Sequence, residues 1–142
     1  MGVNVNETLN ATFDDDNAID EQYAGWSPLH AAASLNHQDV VDCLLLNKAY
    51  PNIIYTNDSS SLILDTRRRF KGMVDYLLSN SGHPNLTCYD GTTSLILAAQ
   101  HSHFETMLTL IDGKAEVNLR NSEEKSKQSA LFLTASFVNT LC

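Results

Sequence analysis

Basic residues are missing from the whole opening stretch of this chain. Residues 1–22 hold six acids (Glu7, Asp14, Asp15, Asp16, Asp20 and Glu21) and no Lys or Arg, leaving eleven acids to face nine bases elsewhere. The net charge of −8 therefore sits mainly at one end, and the body is close to neutral. Nucleic acid and anionic membrane are poor partners for such a body, because phosphate contacts need positive side chains. The single basic run, Arg67-Arg68-Arg69-Phe70-Lys71, does not reverse that balance. Long apolar runs are missing too: none nears the roughly 18 residues of a membrane span. No basic segment followed by an apolar one opens the chain, so the expected compartment is cytosol or nucleus. Cysteine is scarce. Cys43, Cys88 and Cys142 are far apart, without metal-like pairing, and read as idle or buried thiols in a reducing compartment. In that setting the Asn-x-Ser/Thr sequons at Asn6, Asn10, Asn57 and Asn85 carry no meaning.

Catalytic constellations are also lacking. Gly25-Trp26-Ser27-Pro28-Leu29 begins like a nucleophile elbow, but Leu29 replaces the second glycine and a helix cap accounts for Ser27. No glycine-rich loop ends in Gly-Lys-Ser/Thr. His101-Ser102-His103 is the nearest approach to a metal pair, yet it falls at a turn with no Cys or acid at ligand spacing. No cofactor, metal or catalytic residue is expected, and the chain reads as a non-enzyme.

What is present is a period of 33 residues. Leu29, Leu62 and Leu95 share one register, and so do Val41, Val74 and Met107. Apolar pairs follow at Leu44–Leu45, Leu77–Leu78 and Leu110–Ile111, and each unit ends alike: Ala49-Tyr50-Pro51-Asn52, Gly82-His83-Pro84-Asn85, Ala115-Glu116-Val117-Asn118. Each unit predicts two short helices. In the first unit these are Pro28–Leu35, with Ser27 as cap and Pro28 at the first helical position, and roughly Gln38–Leu46, with an apolar stripe at helical spacing. Neither is long enough to stand alone in water, so stacking must bury the stripes together.

These residues resemble the ankyrin repeat. Gly25-Trp26-Ser27-Pro28-Leu29-His30-Ala31-Ala32 is similar to the family's Gly-x-Thr-Pro-Leu-His-x-Ala, and Asn36-His37-Gln38-Asp39-Val40-Val41 to its Gly-His-x-Glu-Val-Val, with Asn in place of a left-handed Gly. Gly91-Thr92-Thr93-Ser94-Leu95 with Ala98-Ala99 recovers the pattern in the third unit. The resemblance implies an all-α ankyrin-repeat solenoid of stacked helix-turn-helix units with β-hairpin loops, three full repeats plus a partial fourth. The repeat domain is expected over 19–142, in units of about 19–52, 53–85, 86–118 and a partial 119–142. Residues 1–18 are expected to be an acidic, disordered tail or a frayed cap.

Two units depart from the pattern. In the second, Ser60-Ser61-Leu62-Ile63 replaces Ser-Pro-Leu-His, and Asp65 stands where Ala32 and Ala98 stand in the neighbours. The family buries that position, and a buried unpaired carboxylate is costly. Arg68 and Arg69, three and four residues on, are expected to relieve it through a helical ion pair. In the fourth, Leu131 comes 36 residues after Leu95, so about three residues are inserted, and Ala130–Val138 predicts a first helix. Leu131, Phe132, Leu133 and Phe137 do not make the polar outer face that a solenoid end needs. The chain is therefore expected either to fold that helix down as a cap or to be a fragment of a larger ankyrin-bearing enzyme, channel or ubiquitin-ligase adaptor, the fragment being favoured.

The resemblance also implies where a partner docks, since in this family the loops and first helices line a concave face. By position that face offers Tyr23, Trp26, Leu35, Ile54, Thr56, Arg67, Arg68, Thr87, Tyr89, Thr92 and His101. Tyr23, Trp26 and Tyr89 are aromatics of the kind that dominate binding hot spots. The alternative for Trp26 is packing against the next loop; for the arginines it is a solvated helix C-terminus. The implied function is a monomeric scaffold or adaptor that binds another protein, with an acidic residue of that partner meeting Arg67 or Arg68. Because the second unit is the most degenerate, its helices are expected to be the least protected in native-state hydrogen exchange; finding them the best protected would refute this ranking.

Overall fold

The computed structural model describes residues 4–7, 25–55, 59–122 and 129–141. Apart from residues 4–7, the expected N-terminal tail lies outside the described residues. Among the described residues seven helices follow in order: α1 (Pro28–Ser34), α2 (Gln38–Leu46), α3 (Ser61–Arg67), α4 (Lys71–Ser79), α5 (Ser94–Gln100), α6 (Phe104–Asp112) and α7 (Ala130–Leu141). Helices α1 and α2, α3 and α4, and α5 and α6 pack as pairs, and α1, α3, α5 and α7 pack side by side in that order. Helix α6 packs on α4, and the Tyr76 hydroxyl of α4 donates to the Asp42 carboxylate of α2.

Local chemistry explains the pairs. A hydroxyl caps each first helix: Ser27 accepts from the His30 amide at 3.4 Å, Ser60 from Ile63 at 3.4 Å, Thr93 from Ile96 at 3.2 Å and Ser129 from Phe132 at 3.2 Å. The caps fall 33 residues apart except the last, which comes 36 after Thr93, placing the three-residue insertion in the loop before α7. Each first helix stops on a left-handed residue, Asn36 (φ 57°), Arg69 (φ 64°) or Ser102 (φ 57°), and each second helix on Lys48 (φ 66°), Ser81 (φ 69°) or Lys114 (φ 69°). The amide after each turn reaches back to the helix: His37 to the Ala32 carbonyl at 2.9 Å, Phe70 to Asp65 at 2.9 Å, His103 to Ala98 at 2.8 Å. None of the six is glycine, and each left-handed residue with a Cβ costs about 1 kcal/mol.

The core runs through the stack. Leu29, Leu62 and Leu95 are all buried and equivalent, as are Val41, Val74 and Met107 on the second helices. Ala32, Ala33, Ala98 and Ala99 are buried where the first helices meet, so their small size permits the close approach. Leu131 keeps the register of Leu95 but stays exposed, since no further helix lies over α7 among the described residues.

Two expectations need correction. The loops between units form no strands among the described residues: each closes on one antiparallel bridge, Ile54–Ser60, Thr87–Thr93 or Arg120–Ser129. Counting the stretch that ends at the Ser27 cap as the first loop, these are the second, third and fourth; five residues separate the partners in the second and third, which leaves room for a turn and a single rung. The ion pair at Asp65 also does not form. Asp65 is fully buried and neither carboxylate oxygen has a hydrogen-bond partner. The Arg68 guanidinium instead donates to the Ser34 carbonyl of α1 at 2.6 Å, and Arg69 sits beyond the helix end in the left-handed turn. Burial pushes the Asp65 carboxyl up to about 8, against a smaller opposing pull from the Arg68 charge.

The sign of this effect is definite. A carboxyl raised from 3.8 to about 8 binds a proton more tightly in the fold than in the unfolded chain. The stability it lends is complete below pH 4 and is lost as pH rises towards 8, at about 1.4 kcal/mol per pH unit. Asp65→Ala restores the residue found at positions 32 and 98. It is expected to raise stability at pH 7 by on the order of 2–4 kcal/mol, and the gain over the parent should grow between pH 5 and 8. Urea unfolding of both chains across that range measures it.

Candidate functional site

The inter-unit loops and the first helices meet along one face, and a cleft of about 290 Å³ opens there between the second and third loops. Tyr55 and Ser59 line it from one loop, Cys88, Tyr89, Asp90 and Thr92 from the next, and Arg67, Leu97 and Gln100 from α3 and α5. The third loop is braced internally. Asp90 accepts from the Thr92 amide and hydroxyl, both at 2.9 Å, and the Cys88 amide donates to the Thr92 carbonyl at 2.9 Å. Gly91 takes a φ of 77°, and a Cβ there would lie 3.3 Å from Asn121 Cα of the following loop. That following loop is bound in turn, because the Ser122 amide and hydroxyl donate to the Asp90 carbonyl at 2.6 and 2.7 Å. The cleft wall is thus set by backbone together with the Asp90 carboxylate and the Ser122 hydroxyl.

Beneath the first two loops lies a second small core. Trp26, only 4% exposed, packs with Tyr55 and Leu64. Its ring meets Tyr55 edge-on at 5.7 Å between centroids, and Tyr55 meets His30 edge-on at 5.5 Å. His30 completes the cap of α1: Nδ1 accepts from the Ser27 amide at 3.2 Å and lies 2.7 Å from the Ser27 hydroxyl. Burial pushes the His30 ring below its ordinary 6.5, against the pull of the Ile53 and Ser59 backbone, so it stays neutral at pH 7. The stability it lends is accordingly lost as pH falls below 6.5.

The expected contact residues separate into groups. Arg67, Tyr89 and Thr92 come together at the cleft. Tyr89 is 92% exposed, whereas Thr92 is buried and tied to Asp90. Leu35, Ile54, Thr87 and His101 are exposed but lie outside the cleft lining. Arg68 is also exposed, with its guanidinium engaged at Ser34 between α1 and α3. Trp26 lies in the second core, so its ring supports the next loop instead of presenting a free aromatic surface. Tyr23 and Thr56 lie outside the described residues. His101 stacks on His103 at 5.6 Å, and no third His, Cys, Asp or Glu joins them among the described residues. Tyr55, Cys88 and Leu97 line the cleft without having been singled out as contacts; a 33-residue step from Tyr55 lands on Cys88, so the period itself pairs two of them.

With the helix pairs and their bridged loops described, comparison with family models places the chain. The ankyrin repeat model matches residues 24–56 and 90–122, so the chain carries ankyrin repeats there, units whose domains are generally non-catalytic. The matches cover α1–α2 and α5–α6 and pass over α3–α4, the pair that holds Asp65. No curated protein was found to match the chain.

The two aromatics should behave oppositely on truncation. Trp26→Ala is expected to destabilise the fold by about 3 kcal/mol or more. Tyr89→Ala should stay within about 0.5 kcal/mol of the parent. Thermal or urea unfolding of the two variants checks both.

Proposed function

We propose that this chain is a protein–protein interaction scaffold that holds a segment of a partner protein across its loops and first helices. In this reading it is a solenoid of three full units and a partial fourth, working as a monomer in a reducing compartment, cytosol or nucleus. The free thiol of Cys43 suits that setting. Among the described residues no helix is long and apolar enough to cross a membrane.

The cleft carries the proposal. Its rim joins an exposed aromatic, Tyr89, to an exposed guanidinium, Arg67, over walls that are already ordered. Aromatic and arginine anchors on a rigid support dominate binding energy, and prior ordering lowers the entropy lost on association. Arg67 suits a carboxylate on the partner, which it can bind in bidentate fashion. The mixed polar and apolar lining suits a peptide segment, with Gln100 and Asp90 as hydrogen-bonding groups beside Leu97 and Tyr55.

The test pairs Tyr89→Ala with Arg67→Glu and compares capture of partners from lysate with that by the parent chain. Loss of at least roughly tenfold in the recovered partner is expected, because each anchor is worth on the order of 1–2 kcal/mol. Unchanged circular dichroism and melting temperature must accompany that loss. Equal recovery by a folded double variant rules the cleft out as the docking site.

A further inference from the structure

The ends of the units carry a repeated clasp. Asn52 Oδ1 accepts from the His83 amide at 2.7 Å while its Nδ2 donates to the Ser81 carbonyl at 3.0 Å. Asn85 Oδ1 accepts from the Glu116 amide at 2.8 Å, and its Nδ2 donates to the Glu116 carboxylate at 3.2 Å. Each asparagine thus grips the closing turn of the next unit, with its Oδ1 reaching an amide 31 residues ahead. One period earlier the turn to be gripped is Lys48–Tyr50, and the period assigns its clasp to position 19. The residue found there is Asn6. Its Oδ1 accepts from the Tyr50 amide, 44 residues ahead, at 2.8 Å, and its Nδ2 donates to the Lys48 carbonyl at 3.4 Å. Lys48 and Tyr50 are the register equivalents of Ser81 and His83.

The surroundings of Asn6 repeat the pattern as well. Residues 5 and 6 form a turn, as do 51–52, 84–85 and 117–118. The Asn6 amide donates to Asn4 Oδ1 and the Glu7 amide to the Asn4 carbonyl, both at 3.1 Å. Val5 is half-buried against the main core, as Val117 is at the other end. The dipeptide Val5-Asn6 repeats Val117-Asn118.

We infer that residues 4–7 stand in for the closing turn of an upstream unit and clasp the open end of the first helix pair through Asn6. In chain order the acidic stretch lies between this clasp and the Ser27 cap of α1. The helix cap follows the clasp asparagine by eight positions at Asn52–Ser60 and Asn85–Thr93, but by 21 positions from Asn6 to Ser27. The inserted length contains Asp14, Asp15, Asp16, Asp20 and Glu21, five of the six acids in residues 1–22. The physical gain lies at the end of the stack, where a terminal unit lacks the neighbour that satisfies its turn and covers its apolar edge.

Amide exchange in the full-length chain reads the clasp directly, because the exposed Tyr50 amide has Asn6 as its acceptor. The Tyr50 amide should be protected as the His83 and Glu116 amides are. Asn6→Ala should speed its exchange by roughly tenfold or more while leaving the other two unchanged. Asn6→Asp keeps the acceptor oxygen and should keep the protection. Asn6→Ala should also lower the melting temperature by about 3 °C, and Asn52→Ala should do the same. Asn118→Ala should not, since Asn118 makes no side-chain hydrogen bond among the described residues. Free exchange at Tyr50 in the parent, or an Asn6→Ala chain matching Asn118→Ala in exchange and melting, overturns the inference.

Discussion

Contact between equivalent faces of neighbouring helix pairs carries this structure. The first helices α1, α3 and α5 are seven residues long and the second helices nine. Isolated helices shorter than about 12–15 residues are marginal in water, so none of these has an independent existence. Burial of Leu29, Leu62 and Leu95 against one another's units supplies what the helices lack. Hydroxyl caps and left-handed turns then only need to set where each helix starts and stops.

That dependence explains how the α3–α4 pair tolerates its departures from the pattern. Asp65 brings a carboxyl into a place occupied by alanine in the pairs on either side, and it goes unbonded. Arg69 carries a full side chain through a left-handed turn. Both features oppose folding locally, yet α3 packs between α1 and α5, and α4 packs under α6. In a nearest-neighbour stack the interfaces on both sides can outweigh a poor unit in the middle. The ankyrin repeat match passes over this pair, yet its Leu62 and Val74 keep the buried register of the neighbouring pairs.

The same neighbour-to-neighbour logic builds the candidate docking face. The Ser122 groups tie the fourth loop to the third, Asn52 and Asn85 tie the turns, and Trp26, His30 and Tyr55 support the first two loops from within. The cleft is the space left between two loops held in this way. Side chains such as Tyr89 and Arg67 remain available because the structural bonds are made by the backbone and by other residues. Exposure on this face therefore marks residues that the stack does not need.

The division between sequence and tertiary structure follows the range of the interactions. The period of 33, the capping hydroxyls, the left-handed place of Asn36 and the span Gln38–Leu46 rest on chemistry within a few residues, and the sequence by itself determined them. It also marked Asp65 as misplaced, since its neighbours in register are alanines. Only the tertiary structure decided that Arg68 bonds to Ser34 instead of Asp65, that Trp26 is buried beside Tyr55, and that Asn6 reaches Tyr50. Those contacts join residues 29–44 positions apart, and which of several equivalent partners a side chain meets depends on how the units seat against one another. A one-dimensional pattern records that units repeat; it does not record which surfaces the repetition covers.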